Sequence, residues 1–245
     1  MAGLCYICRE ELIDAPPDYR GPLEARHRTR DHVPPKGLFL DPKPDNLICV
    51  SCCNACNGEQ SGFDERFRIL VASEINANAA GRKIMAEKVL GSTMAKGRQP
   101  KFVAAMATTM RDTTLKTPFG EKEISTFSTR SDEIFPGVIR ITKGLLAHFH
   151  PGYDYRKDEF FVLDIHSGTL AKGDALRQIA VVKALVNQTQ PDQRGSAAEF
   201  RFWRQVEKTK GMWLLVFYEA MHFVVSHHTP SEQQPVKVES VSAGG

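Results

Sequence analysis

Four cysteines in two Cys-x-x-Cys pairs, Cys5/Cys8 in CYIC and Cys53/Cys56 in CNAC, have the type and spacing to hold zinc as a tetrathiolate. Between the pairs lie a carboxylate and an imidazole side by side, Asp31-His32 in RDHVPP, and an amide, Asn46 in PDNLICV. Asn57 follows the second pair directly. A hard carboxylate oxygen suits a divalent cation, and an imidazole that titrates near neutrality suits general-base work. Together these groups are suited to metal-assisted hydrolysis: a cation steadies developing negative charge while a base activates water. Each residue alone has a plainer use. An Asp-His before two prolines is ordinary turn chemistry, and an asparagine after a cysteine pair can cap a helix.

The second pair is ambiguous, because CVSCCNAC also contains Cys49-x-x-Cys52. Cys53 and Cys56 are preferred because they place Asn57 at the start of the following helix. Cys49 and Cys52 would then be strand residues packed as small hydrophobes; zinc through that pair is the alternative. The chain shows no basic start leading into an apolar run and no stretch apolar enough to span a bilayer. A cytoplasmic setting without a membrane partner is therefore expected, with thiols that bind metal rather than pair as disulfides.

The order Cys-x-x-Cys, Asp-His-Val-x-Pro, Asn-Leu, Cys-x-x-Cys-Asn resembles the HNH endonuclease family, over roughly residues 1 to 70. With asparagine in the last position, the chain looks like an HNN variant. The resemblance implies a treble-clef-like ββα-metal finger stabilised by structural zinc on Cys5, Cys8, Cys53 and Cys56. It implies His32 as general base, Asp31 and Asn57 as ligands of one catalytic Mg2+ or Mn2+, and double-stranded DNA as substrate, entered through the minor groove. Asn46 is expected to brace the turn between the two strands and so hold the His32 loop in shape. Neighbouring strand residues point to opposite faces, so a distortion at Asp31-His32 is expected to bring both to the cleft. A place in bacterial or phage defence rests on analogy alone. The alternative is a degenerate finger that binds nucleic acid or a partner protein without cutting.

A net charge of +3 says little about nucleic acid, but its distribution says more. Arg26, Arg28 and Arg30 in RHRTR precede the Asp-His pair and Lys36 follows it, all candidates for phosphates beside the scissile bond. Between Gly81 and Lys116, eight basic side chains stand against two acidic ones. That segment suits a helical arm on a duplex backbone, or simply the polar face of amphipathic helices.

The elements that must carry these residues are expected to form an α+β chain. Residues 1–75 form the finger, 76–117 a basic helical connector, 118–229 a C-terminal α+β domain with antiparallel strands, and 230–245 a disordered tail. A helix is expected from near Cys56, continuing over Asp64 to Leu90 with a division at Gly81, and another over Pro100 to Thr114. Further helices are expected from Ser131 or Asp132, as caps, to His148, and over Asp174 to Gln190. Strands are expected over Phe160–Ile165, Phe200–Val206, Met212–Tyr218 and His222–Ser226. The C-terminal part is expected to supply target choice, dimerisation or a link to a partner protein. His148, His150, His166, His222, His227 and His228 fit no ligand spacing, and Trp203 and Trp213 are expected in the core of the meander rather than as a base-stacking platform. No Gly-rich phosphate loop or nucleophile elbow is present, which leaves ATP hydrolysis and acyl transfer without support.

Overall fold

β1 (Arg28–Val33) and β2 (Ile48–Cys53) pair as an antiparallel hairpin, with Ile48, Val50 and Cys52 of β2 alternating inward. Its register is continuous, from Arg28 opposite Cys53 to Val33 opposite Ile48. Helix α1 (Asn54–Ala72) begins at once. Cys53 is its N-cap, and the Cys53 sulfur accepts the Cys56 N–H at 3.4 Å, so the second cysteine pair also starts the helix. In this computed structural model the described residues run from 3 to 230, apart from 75, 98, 118–119, 128–130, 166–179, 181, 188–189 and 197–198.

The first cysteine pair is a tight turn. Arg9 adopts a left-handed conformation (φ 63°), and its N–H reaches the Cys5 carbonyl at 2.9 Å. The Tyr6 N–H bonds the Ser51 carbonyl on β2 at 3.1 Å, which sets this turn against the hairpin.

Beyond α1 the structure departs from the expected helices. The break falls before Asn78, not at Gly81: Asn78 caps α2 (Ala79–Ile84) by accepting the N–H groups of Ala80 and Gly81. Gly81 serves packing instead, since a Cβ there would lie 2.9 Å from the Tyr218 side chain. A π-helical stretch (Met85–Met94) continues from α2. The next helix, α3 (Pro100–Thr109), stops five residues short of Thr114. The threonine-rich run that follows prefers a pleated surface and pairs as β3 (Arg111–Thr117) with β4 (Gly120–Thr126). The basic connector is therefore not wholly helical, and part of its charge is internally matched, with Lys88 paired to Asp41 and Lys83 to Glu87.

Helix α4 (Ser131–Phe149) leads to a five-stranded antiparallel sheet in the order β5-β9-β8-β7-β6. Its strands are β5 (Glu159–Asp164), β6 (Asp192–Arg194), β7 (Phe200–Val206), β8 (Lys210–Phe217) and β9 (Met221–His228). β8 ends before Tyr218 because Tyr218 and Glu219 take left-handed turn conformations (φ 50° and 62°). Trp213 is fully buried in this sheet and Trp203 partly so. The expected helix over Asp174 to Gln190 lies largely outside the described residues, of which Ala180 and 182–187 are helical. Ile75, Arg98, His166, the side chains of Ser131, Asp132 and Lys116, and the tail from 231 also lie outside them.

The chain is thus mixed α+β with antiparallel sheets. One hydrophobic core runs without interruption from Cys5 and Tyr6 through Phe67 and Val138 to Phe217 and Val225. The N-terminal hairpin and helix therefore share their core with the C-terminal sheet. Helix α4 is the joint, and glycine makes it possible. A Cβ at Gly137 would meet Phe63 at 2.7 Å and Phe67 at 3.0 Å; one at Gly144 would meet Val33 Cγ1 at 2.8 Å. Two further ties reach from the C-terminal part: Tyr155 donates to the Tyr6 carbonyl at 2.5 Å, and Tyr218 to the Leu38 carbonyl at 2.7 Å. Among the described residues no helix is long and apolar enough to cross a membrane.

Candidate active site

Cys5, Cys8, Cys53 and Cys56 come together, all four sulfurs within 4.8 Å of one another. A tetrahedral zinc with Zn–S bonds of about 2.3 Å would set its sulfurs about 3.8 Å apart, and Cys8 Sγ lies 3.9 Å from Cys53 Sγ. The donor set therefore fits zinc. The alternative pair divides: Cys49 is exposed on β2 away from the cluster, whereas the buried Cys52 sulfur lies 3.8 Å from that of Cys5. That contact holds the Cys5 thiol down to about 4, against burial. Among the described residues this is the only cluster of cysteine, histidine and carboxylate ligands suited to a metal, so His148, His150, His222, His227 and His228 form none.

A separate cavity of about 620 Å³ opens beside the hairpin. Its walls carry Arg30, Asp31 and His32 from β1, Lys36 from the following turn, Asn57, Asp64, Glu65 and Arg68 from α1, and Gln99. Asp31 and His32 both reach it without a bulge, because β1 pairs in register along its whole length. The expected distortion is not needed: the cavity wraps the strand's end, where Pro35, Lys36 and Gly37 complete the wall.

His32 is half-buried. Burial, with the Lys36 charge added, lowers its pKa below the usual value, while Asp31 pulls the other way. The ring is accordingly neutral at physiological pH, the state a general base requires. Among the described residues no hydrogen bond holds it.

Asn57 is oriented by chemistry one step away. The Thr29 hydroxyl donates to the Cys52 carbonyl at 2.9 Å. Its single proton is then used, so it accepts from Asn57 Nδ2 at 3.1 Å. The amide oxygen of Asn57 is the atom left for a ligand.

Asp31 is buried, and its Oδ2 accepts two donors, the Tyr6 hydroxyl and, at 2.5 Å, Nη2 of Arg140. Arg140 comes from α4. Its Nε donates to Tyr6 Oη at 3.0 Å and its Nη1 pairs with Asp64. Burial pushes the Tyr6 hydroxyl up, with the Asp31 charge adding to it, so Tyr6 stays a donor. Burial also pushes Asp64 up to about 6 against the pull of Arg140, and the Asp31 charge adds to the rise. For Arg140 burial opposes the charge, but the Asp64 and Asp31 carboxylates pull the other way and keep the guanidinium protonated.

The remaining expected residues sort by position. Arg30 and Lys36 line the cavity. Arg26 and Arg28 are instead paired with Glu10 at 3.0 Å and Asp14 at 2.5 Å. Asn46 lies outside the cavity wall. Rather than closing the hairpin turn, it links the loop to the segment around β6, accepting the Gly195 N–H at 2.9 Å and donating to the Gln193 carbonyl at 3.4 Å. Sequence reasoning missed Asp64, Glu65 and Arg68, although Asp64 falls seven residues after Asn57 and so on the same helix face. Tyr6 and Arg140 carried no spacing signal; a lone arginine in the apolar run VIRIT was the one visible oddity.

The cavity wall carries side-chain oxygens of Asp31, Asn57, Asp64 and Glu65 and the imidazole of His32. No protein-family model, curated protein or solved structure matches the chain.

Proposed function

We propose that this chain is a metal-dependent endonuclease of the HNH type, with the hairpin and α1 forming a ββα-metal finger. The observation that carries this is the convergence of His32, Asp31 and Asn57 on one solvent-open cavity, a few residues from a four-cysteine cluster that fits zinc. His32 would take the proton of the attacking water, for which its lowered pKa prepares it. Asp31 and Asn57 would hold the divalent cation, whose chemistry is to neutralise the phosphate oxygens as charge develops. Arg30 and Lys36 would meet the flanking phosphates. Zinc on the cysteines would fold the finger and fix the start of α1, and so the position of Asn57. Double-stranded DNA is the proposed substrate.

The Arg140 ion pair favours one other reading: a zinc-stabilised binding module in which Asp31 serves packing only. Plasmid incubated with the zinc-loaded chain and Mg2+ or Mn2+ separates the two. Wild type is expected to nick or linearise it, and His32→Ala to lose roughly 10²–10⁴-fold in rate. Intact plasmid with every metal, or equal cutting by His32→Ala, would exclude the nuclease.

A further inference from the structure

We propose that Arg140 is a positioning residue for the cation-binding carboxylate of Asp31, supplied to the finger by helix α4; the inference rests on the nuclease reading above. Gly137 and Gly144 lie three residues before and four after Arg140, on the same helix face. Both approach the N-terminal unit too closely for any side chain. The helix backbone is thereby pressed onto α1 and β1, and the guanidinium enters the space between Asp31 and Asp64.

All three guanidinium nitrogens are engaged: Nε with Tyr6 Oη, Nη2 with Asp31, Nη1 with Asp64. The Tyr6 hydroxyl and Nη2 converge on the same oxygen of Asp31, Oδ2. Two donors from different elements therefore stop the carboxylate from rotating and leave Oδ1 as the oxygen for a cation. Arg140 itself is buried and does not line the cavity, so it acts through Asp31 rather than on the substrate. The finger's catalytic geometry is thus completed from more than one hundred residues away in sequence. The plain alternative is a buried ion pair that serves folding alone.

Arg140→Lys distinguishes the two, because one ammonium keeps the charge but cannot span three acceptors in a fixed fork. The full zinc-loaded chain is measured for plasmid cleavage (kcat and KM separately), for Mn2+ binding by electron paramagnetic resonance without DNA, and for zinc content and thermal unfolding. The expected result is a folded, zinc-replete variant whose kcat falls by roughly 10–100-fold. Its KM for plasmid is unchanged, and Mn2+ binds more weakly than to wild type. A kcat equal to wild type overturns the proposal, as does a fall in kcat with Mn2+ affinity unchanged. If Arg140→Lys unfolds or loses zinc, Arg140→Gln is measured in its place; unfolding of both assigns Arg140 to folding and also overturns it. A wild-type chain that never cuts refutes the nuclease reading itself, and that result is obtained before any variant is compared.

Discussion

Gly144→Ala tests the joint that carries α4 onto the finger. The added methyl would lie 2.8 Å from Val33 Cγ1 and closer still to Cγ2, where carbon atoms ordinarily sit about 3.5–4.0 Å apart. Either helix or strand must move by roughly 1 Å. Val33 is 1% exposed and β-branched, so it has little freedom to yield. Overpacking of this kind costs about 1–3 kcal/mol, and a clash with a fully buried β-branched side chain belongs at the upper end. The better helix propensity of alanine returns about 1 kcal/mol. A net loss of about 1–2 kcal/mol is expected, or a Tm lower by roughly 3–6 °C for a chain of this size. Val33→Ala alone should cost about 2–3 kcal/mol through lost burial and a cavity. Combined, the two changes should compensate, since the new methyl fills the space vacated, with a coupling of about 1–2 kcal/mol. Urea unfolding of the four proteins measures this. A Gly144→Ala chain as stable as wild type, or a double variant additive within about 0.5 kcal/mol, would refute the close packing of α4 on β1.

Two other expectations follow from named contacts. About one zinc per chain is expected by total metal analysis; Cys53→Ser and Cys56→Ser should lose it, whereas Cys49→Ser, on the exposed side of β2, should keep it. The second concerns His227, buried on β9 against Asp158, Tyr153 and the stacked ring of Phe160, itself under Lys143, with His228 adjacent. Burial lowers its pKa, Asp158 opposes that, and His228 adds to it. Because the folded value lies below the unfolded 6.5, the unfolded chain binds more protons in the window beneath 6.5. The contribution is complete above that pH and is lost as pH falls through the window. Urea titrations from pH 7.5 to 5 should therefore show wild type losing its advantage over His227→Gln on acidification; a widening gap would mean that Asp158 wins over burial.

Much of the candidate site was legible in the sequence because its parts are local. Cysteine pairs with two residues between them face one ion wherever the turn closes, and Asn57 follows from the helix that Cys53 caps. The strands of the C-terminal meander were legible through alternation and aromatic content; β8 ended early only because Tyr218 turns into a left-handed conformation. The basic segment misled for a physical reason. Helix-forming lysines and alanines near Pro100 mask a threonine run whose partner strand, Gly120–Thr126, determines its conformation.

The sequence by itself determined that two Cys-x-x-Cys pairs could meet, placed Asp31 and His32 side by side, and gave the α+β class; the choice of Cys53 and Cys56 over Cys49 and Cys52 came from the structure. Only the tertiary structure decided what those residues face. It gave Asn46 a long-range link in place of a turn, paired Arg26 and Arg28 with carboxylates, and added Asp64 to the cavity wall. Above all it brought Arg140 to Asp31. No local pattern encodes that contact, because it depends on two glycines that let a helix from the C-terminal half press onto a hairpin near the start of the chain.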